Sequence, residues 1–227
     1  MSLDQAALLA ILGGIVFLDQ WPLFQSMLSR PLVVGAVVGI VLDRPTDGVL
    51  WGAVFESIYL GVLPIGVARY PDAGLAALAG SAVALSAPVG VLPPAGWAVA
   101  VALGTGTVGD HAGVVLRRWN GRLAVHVRER VAAGDLSAPG RAIAVSLLRG
   151  AGVGVVVSAG ALTVGLGGLA LVVSTPWSGP LPMTVVVLAA AAALVVNGTR
   201  LFVDSRSRLT AWGVGLMLVV AAFGLLG

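Results

Sequence analysis

Glu56 stands in the run Gly48-Val-Leu-Trp-Gly-Ala-Val-Phe-Glu56-Ser57-Ile-Tyr-Leu60, eight residues from Gly48 on one side and from Pro64 on the other, with no other charge between them. A carboxylate in so apolar a setting costs several kcal/mol unless it faces protein or water, so it needs a partner: a neighbouring helix, or a ligand. The structural alternative is a hydrogen-bonded anchor between helices, but an ionisable group at membrane depth is by default a candidate for function. Asp72 is the second candidate. It follows Gly61-Val-Leu-Pro64-Ile-Gly66 and Val67-Ala-Arg69-Tyr-Pro71, where two prolines and two glycines disfavour an unbroken helix. The break is expected to be an unwound connection over residues 61–74 that leaves backbone amides and the Asp72 oxygens facing one cavity. Asp72 before Ala-Gly-Leu-Ala-Ala is also a good N-cap, a role compatible with ligand binding. Arg69 is expected to pair with Asp72, and Asp19-Gln20 closes the first apolar run just before Trp21-Pro22.

Other kinds of chemistry lack their parts. With no Cys in the chain, disulfides, thiolate catalysis and Cys-based metal sites are excluded. His111 and His126 belong to no ligand cluster or nucleophile-base set and read as loop residues. Gly165-Leu-Gly167-Gly168 lies in a stretch without a lysine to meet a phosphate, so it is no nucleotide loop. A membrane-embedded protease or transferase would need a Ser/His pair or clustered carboxylates. No catalytic residue, metal site or cofactor is therefore assigned.

The elements that must hold these carboxylates lie in a membrane. The 227 residues are 58% hydrophobic and 10% charged, with a mean hydropathy of +1.02, against about 25% charged in soluble domains. Residues 73–109 and 150–199 carry no Asp, Glu, Lys, Arg or His. The net charge is only +3 and all thirteen basic residues are Arg, seven of them between Arg117 and Arg149, which points to topology rather than to nucleic acid. Short Arg-rich loops stay cytoplasmic, so a cytoplasmic loop is expected at about 110–141. A second polar segment holds Arg200, Arg206 and Arg208, and the stretch between the two should cross and return, with Trp177 at its outer turn. The start, residues 1–20, has Asp4 in place of a basic region and reads as a retained segment.

Apolar helical runs appear at about 5–18, 32–42, 48–63, 74–87, 96–109, 144–173, 182–196 and 209–226. The fold expected is all-α: one polytopic membrane domain over residues 1–227, with about 7–9 hydrophobic segments and broken or re-entrant helices of the kind transporters use. Arg149, interrupting one run near its start, is expected to snorkel to the cytoplasmic surface. Gly35/Gly39, Gly48/Gly52 and Gly109/Gly113, spaced four apart, are assigned to close helix packing.

Taken in order, Ser29-Arg30-Pro31, Gly35, Gly39, Leu42-Asp-Arg-Pro-Thr-Asp47-Gly48, Gly52-Ala-Val-Phe-Glu56, Leu60-Gly61-Val-Leu-Pro64-Ile-Gly66 and Pro71-Asp72 closely resemble the IIC subunit of mannose/sorbose-type bacterial phosphotransferase systems. Phe17-Leu18-Asp19-Gln20-Trp21 is similar to the acidic segment before the family's Arg-Pro. Residues 125–150 are similar to its cytoplasmic loop and following Arg-bearing helix. Asp43-Arg44 stands where the family usually has Gly-Asp.

The resemblance implies a sugar-translocating subunit of the bacterial cytoplasmic (inner) membrane. It implies a sister membrane subunit, IID, cytoplasmic IIA and IIB proteins that carry the phosphoryl groups, and a homo-oligomer, a trimer of IIC-IID pairs. The sugar, a hexose or amino sugar, would be held around Glu56, Asp72, Gly66, Pro64 and Asp19 and passed inward for phosphorylation by IIB. No phosphohistidine is expected in this chain. The alternative is a non-transporting membrane sensor or scaffold derived from the same family.

Overall fold

The structure, a computed structural model, describes residues 1–20, 26–60, 70–87 and 93–174. Among them it is all-helical, with α1 (Leu3–Gln20), α2 (Pro31–Val41), α3 (Pro45–Tyr59), α4 (Ala73–Ser86), α5 (Pro93–Ala132) and α6 (Ala138–Ser174). Three helices are long and apolar enough to cross a membrane, α1, α5 and α6, while α2 and α4 are shorter apolar helices. The expected spans at 182–196 and 209–226, the outer turn at Trp177, the second Arg segment and the break at 61–69 lie outside the described residues.

The short helices start where the sequence makes starting cheap. Pro31 and Pro45 occupy first-turn positions of α2 and α3, where the missing amide hydrogen of proline forfeits nothing. α2 ends when Asp43 turns left-handed at φ 57°, and the amides of Asp43 and Arg44 donate back to Ile40 and Gly39, a Schellman closure. Glycine is the unstrained residue at such a position and Asp a tolerated one.

α2 and α3 then fold onto each other through glycine. A Cβ on Gly35 would lie 2.5 Å from Gly52 Cα, and one on Gly48 2.5 Å from Gly39 Cα, closer than any real contact. The two pairs spaced at four residues face each other and let the backbones touch, as the spacing predicts. A second crossing of this kind, which spacing within one helix did not reveal, joins α1 to α6: a Cβ on Gly154 would meet Gly13 O at 2.5 Å and Gly14 Cα at 2.8 Å. α4, the most buried helix, has Leu75 to Ala79 wholly shielded and packs against the five others.

One expectation needs correcting. The Arg-rich segment at about 110–141 is not a loop: α5 runs through it to Ala132, so His111 and His126 are helical, and the turn occupies only residues 133–137. Forty residues of helix extend about 60 Å, twice the roughly 30 Å hydrocarbon thickness. The charged half of α5 therefore continues the span as helix beyond the apolar region. Arg149 is likewise the twelfth residue of α6, not near its end, and its exposure agrees with a side chain reaching for polar surroundings. The turn between the helices is built from Gly134 at φ +92° and from Asp135. That carboxylate accepts from the Ser137 hydroxyl and faces Arg130 and Arg141 at 3.2 and 2.5 Å.

Candidate functional site

Four helix ends meet around the three expected carboxylates. Gln5 Nε2 donates to Val41 O at 3.0 Å, fixing the start of α1 to the end of α2. At the other end of this antiparallel pair, Asp19 in the last turn of α1 faces the segment leading into α2. Its Oδ1 accepts from the Ser26 amide and hydroxyl at 2.7 and 2.6 Å, and its Oδ2 from the Ser29 amide at 2.9 Å. The Asp19 side chain is buried, and three donors match its two oxygens. Asp19 is thus the organiser of the turn before Arg30-Pro31, more than an interfacial stop.

Glu56 serves the next step of the chain. α2 has no side-chain cap of its own, and Glu56, one turn before the end of α3, supplies the missing acceptor: its Oε2 accepts from the Leu32 amide at 3.2 Å, while Oε1 faces Arg30 Nε at 3.5 Å. The partner that a carboxylate in this run requires is therefore the first turn of α2 together with Arg30. This is the anchoring role weighed from the sequence. The side chain is 21% exposed, and the oxygens retain lone pairs for further donors.

Asp72 is wholly buried and caps α4, accepting from the Leu75 amide at 2.9 Å, the role its position predicts. Its own amide donates to Gly106 O of α5 at 2.8 Å, and a Cβ on Gly109 would lie 2.6 Å from Asp72 Cβ. Gly109 thus lets α5 approach the capping carboxylate. Gly106 and Gly109 close the charge-free part of α5, just before Asp110, so Asp72 packs against the end of that apolar stretch. Residues 70–72 are not helical, and no continuous helix joins α3 to α4. Pro64, Gly66 and Arg69 lie outside the described residues, so the unwound connection and the Arg69–Asp72 pair do too.

Contacts link the three positions. Gly74, two residues beyond Asp72, is so close to Ser29 that a Cβ there would stand 2.7 Å from Ser29 O, and Ser29 is held by Asp19. Arg30 and Leu32 continue from Ser29 to Glu56. Tyr59, on the Glu56 side of α3, completes the arrangement and was missed in the sequence. Its buried hydroxyl has no hydrogen-bond partner among the described residues, and lies 2.9 Å from where a Gly106 Cβ would be, beside Pro71. Its signal was its place three residues beyond Glu56. Buried Asp110 of α5, adjoining Gly109, was also passed over as the first residue of a supposed loop. The cluster combines carboxylate acceptors, a phenol and a proline-flanked backbone, which suits a hydroxylated neutral ligand. Among the described residues no group of His, Asp and Glu could hold a metal.

The comparisons agree with this architecture. The family model described as the PTS system sorbose-specific IIC component matches residues 3–175. An Escherichia coli K12 protein named as an N-acetylgalactosamine permease IIC component is 35% identical over 101 residues, 44% of this chain and 74% of its own length. The fructose permease IIC component of Bacillus subtilis is 34% identical over 103 residues, 45% of this chain but only 37% of its own length. In fold, the mannose transporter ManYZ, solved in complex with microcin E492, superposes with a TM-score of 0.60 at 20% identity, over 100% of this chain and 96% of that one. A structure titled only as a membrane protein reaches 0.67, also at 20% identity, over 100% and 93%. With its family model spanning most of the chain and its helices arranged as in a solved mannose transporter, this chain belongs to the sorbose-specific IIC family of the phosphotransferase system, as a sugar permease component.

Proposed function

We propose that the chain binds sugar at the meeting of α1 to α4 and passes it inward, across the bacterial inner membrane, for phosphorylation by a IIB protein. The observation that carries this reading is the linkage of Asp19, Glu56 and Asp72 through Ser29, Arg30 and Gly74, with the buried Tyr59 hydroxyl, which has no hydrogen-bond partner among the described residues, beside Pro71. Carboxylates already tied to backbone amides are fixed in direction, and fixed polar groups in an otherwise apolar site confer orientation and specificity on a ligand. Pro64 and Gly66, which lie outside the described residues, are included in the proposed site on the strength of their sequence alone. The phosphoryl donor resides on IIB, so this chain supplies binding and passage, not a nucleophile. It works beside a sister IID subunit, with IIA upstream of IIB, in a trimer of IIC-IID pairs.

The relatives' names cover one amino sugar, N-acetylgalactosamine, and two ketohexoses, fructose and sorbose, so the substrate class is a neutral hexose or amino sugar. Binding to the purified IIC-IID complex, screened over hexoses, amino sugars and uronic acids, tests the reading. One saturable hexose or amino sugar is expected, and binding of none of the three classes would overturn it.

A further inference from the structure

Two grooves follow one another along one side of the α5–α6 pair. The first, about 490 Å³, is apolar and is lined by Trp97, Gly104 and Val108 of α5 and by Val156, Gly160 and Val164 of α6. The second, about 540 Å³, is lined by Trp119, Arg122 and His126 of α5 and by Arg149 of α6. Steps of three and four residues carry Trp97, Val101, Gly104 and Val108 along one face of α5, and about three turns further on Trp119, Arg122 and His126 occupy that face again. On α6, Arg149 lies about two turns before Val156, also on one face. The helices run antiparallel from the turn at 133–137, so the charged groove opens where the apolar one ends.

This is also where the composition changes. α6 carries no charge after Arg149, and α5 carries none before Asp110. Trp119, 45% exposed, begins the charged groove on α5, and its amphipathic ring is of the kind that settles at a bilayer interface. Arg122 and Arg149 have neither an ion pair nor a hydrogen bond among the described residues, whereas His126 has Glu129 at 3.8 Å. Two guanidinium groups that share a groove without a carboxylate call for an anion, and their planar forks suit a phosphate.

We infer that the seam is a binding site for an anionic glycerophospholipid, with its phosphate on Arg122 and Arg149 and one acyl chain in the apolar groove. The dimensions agree: from Arg149 to Gly160 is about 16 Å along the helix, close to the roughly 15 Å depth of one leaflet. A soluble phosphate or a phosphorylated protein would use only the charged half. The adjoining apolar groove selects a lipid, in the manner of basic pockets between membrane helices.

Native mass spectrometry of the purified full chain with phosphatidylglycerol, phosphatidylcholine or inorganic phosphate tests this. Phosphatidylglycerol should be retained over phosphatidylcholine by roughly tenfold or more, at about 1 kcal/mol for each arginine. The double change Arg122→Gln with Arg149→Gln should remove that preference, while Arg128→Gln, on the other side of α5, should leave it. The corresponding double change to Lys should keep most of it, which separates lost charge from lost folding. Gly160→Leu should weaken retention of both lipids, because a Cβ at Gly160 meets nothing within 4 Å and a larger side chain there extends into the groove. A preference that survives the double Gln change, or falls as far with Arg128→Gln, would overturn the site. So would inorganic phosphate displacing the lipid at millimolar concentration, or a phosphopeptide captured in preference to it.

Discussion

Asp72 separates structural work from binding most clearly at the level of single residues. Its carboxylate caps α4 through the Leu75 amide from a wholly buried position. Asparagine can accept the same hydrogen bond, whereas alanine cannot. Asp72→Ala is therefore expected to lower stability by about 0.5–2 kcal/mol or more, seen as a lower melting temperature of the detergent-solubilised protein. Asp72→Asn should melt close to the parent yet bind sugar more weakly, and equal binding by the Asn variant would leave the residue a cap alone. The sequence disclosed the capping role, because an Asp followed by small helix formers is a local signal. The groups that Asp19 and Glu56 hold were not legible there. Ser26, Ser29 and Leu32 are 7, 10 and 24 residues away, and pairings at such separations depend on how helices fold back.

The helices divide along similar lines. Apolar runs broken by turn residues located α1 to α4 nearly to their ends, and the glycine pairs marked for close packing meet at the α2–α3 contact. Gly35→Leu should be strongly destabilising, because its Cβ has only the backbone of Gly48 and Gly52 to meet, and overpacking of this kind costs about 1–3 kcal/mol or more. Thermal unfolding beside Gly104→Leu, which enters open space, would show whether the crossing is as tight as described. What misled at this scale was α5: charges at 117, 118 and 122 suggest a loop only if polarity is equated with irregular backbone, and arginine is a good helix former. The turn that ends α5 should also respond to pH. Hydrogen bonds from Ser137, and then the positive charges of Arg141 and Arg130, hold the Asp135 carboxyl below its ordinary range. A depressed carboxyl contributes stability above its unfolded pKa, near 4, and loses it as pH falls through the lower folded value. Amide exchange at residues 135–138 should therefore be protected at pH 6 and should lose protection progressively in acid below about pH 4, with Asp135→Asn abolishing that dependence.

For the molecule as a whole, the membrane class followed from composition, while the number of spans depends on which apolar runs are helical and how long they are. The Arg-rich end of the α5–α6 hairpin, with Arg117, Arg118, Arg122, Arg128 and Arg130 on one helix, is expected on the cytoplasmic side because that excess of positive charge opposes translocation. The chain has no native Cys, so a single cysteine replacing Arg128 makes a clean reporter. It should resist an impermeant thiol reagent in intact cells and react after lysis, and labelling from outside would reverse the orientation. The carboxylates gathered at the four helix ends are expected to bind sugar as well as to anchor the fold. Glu56→Gln tests this most directly, since it keeps the size and an acceptor for the Leu32 amide and removes the charge. Hydrogen bonds to charged groups are worth about 1.5–3 kcal/mol against about 0.5–1.5 for neutral ones. Calorimetric titration of sugar into the purified complex should show affinity reduced several-fold, by about 1 kcal/mol or more, in a variant that assembles normally. A Glu56→Gln protein that assembles and binds sugar as tightly as the parent would contradict the claim and leave Glu56 as the cap of α2 alone.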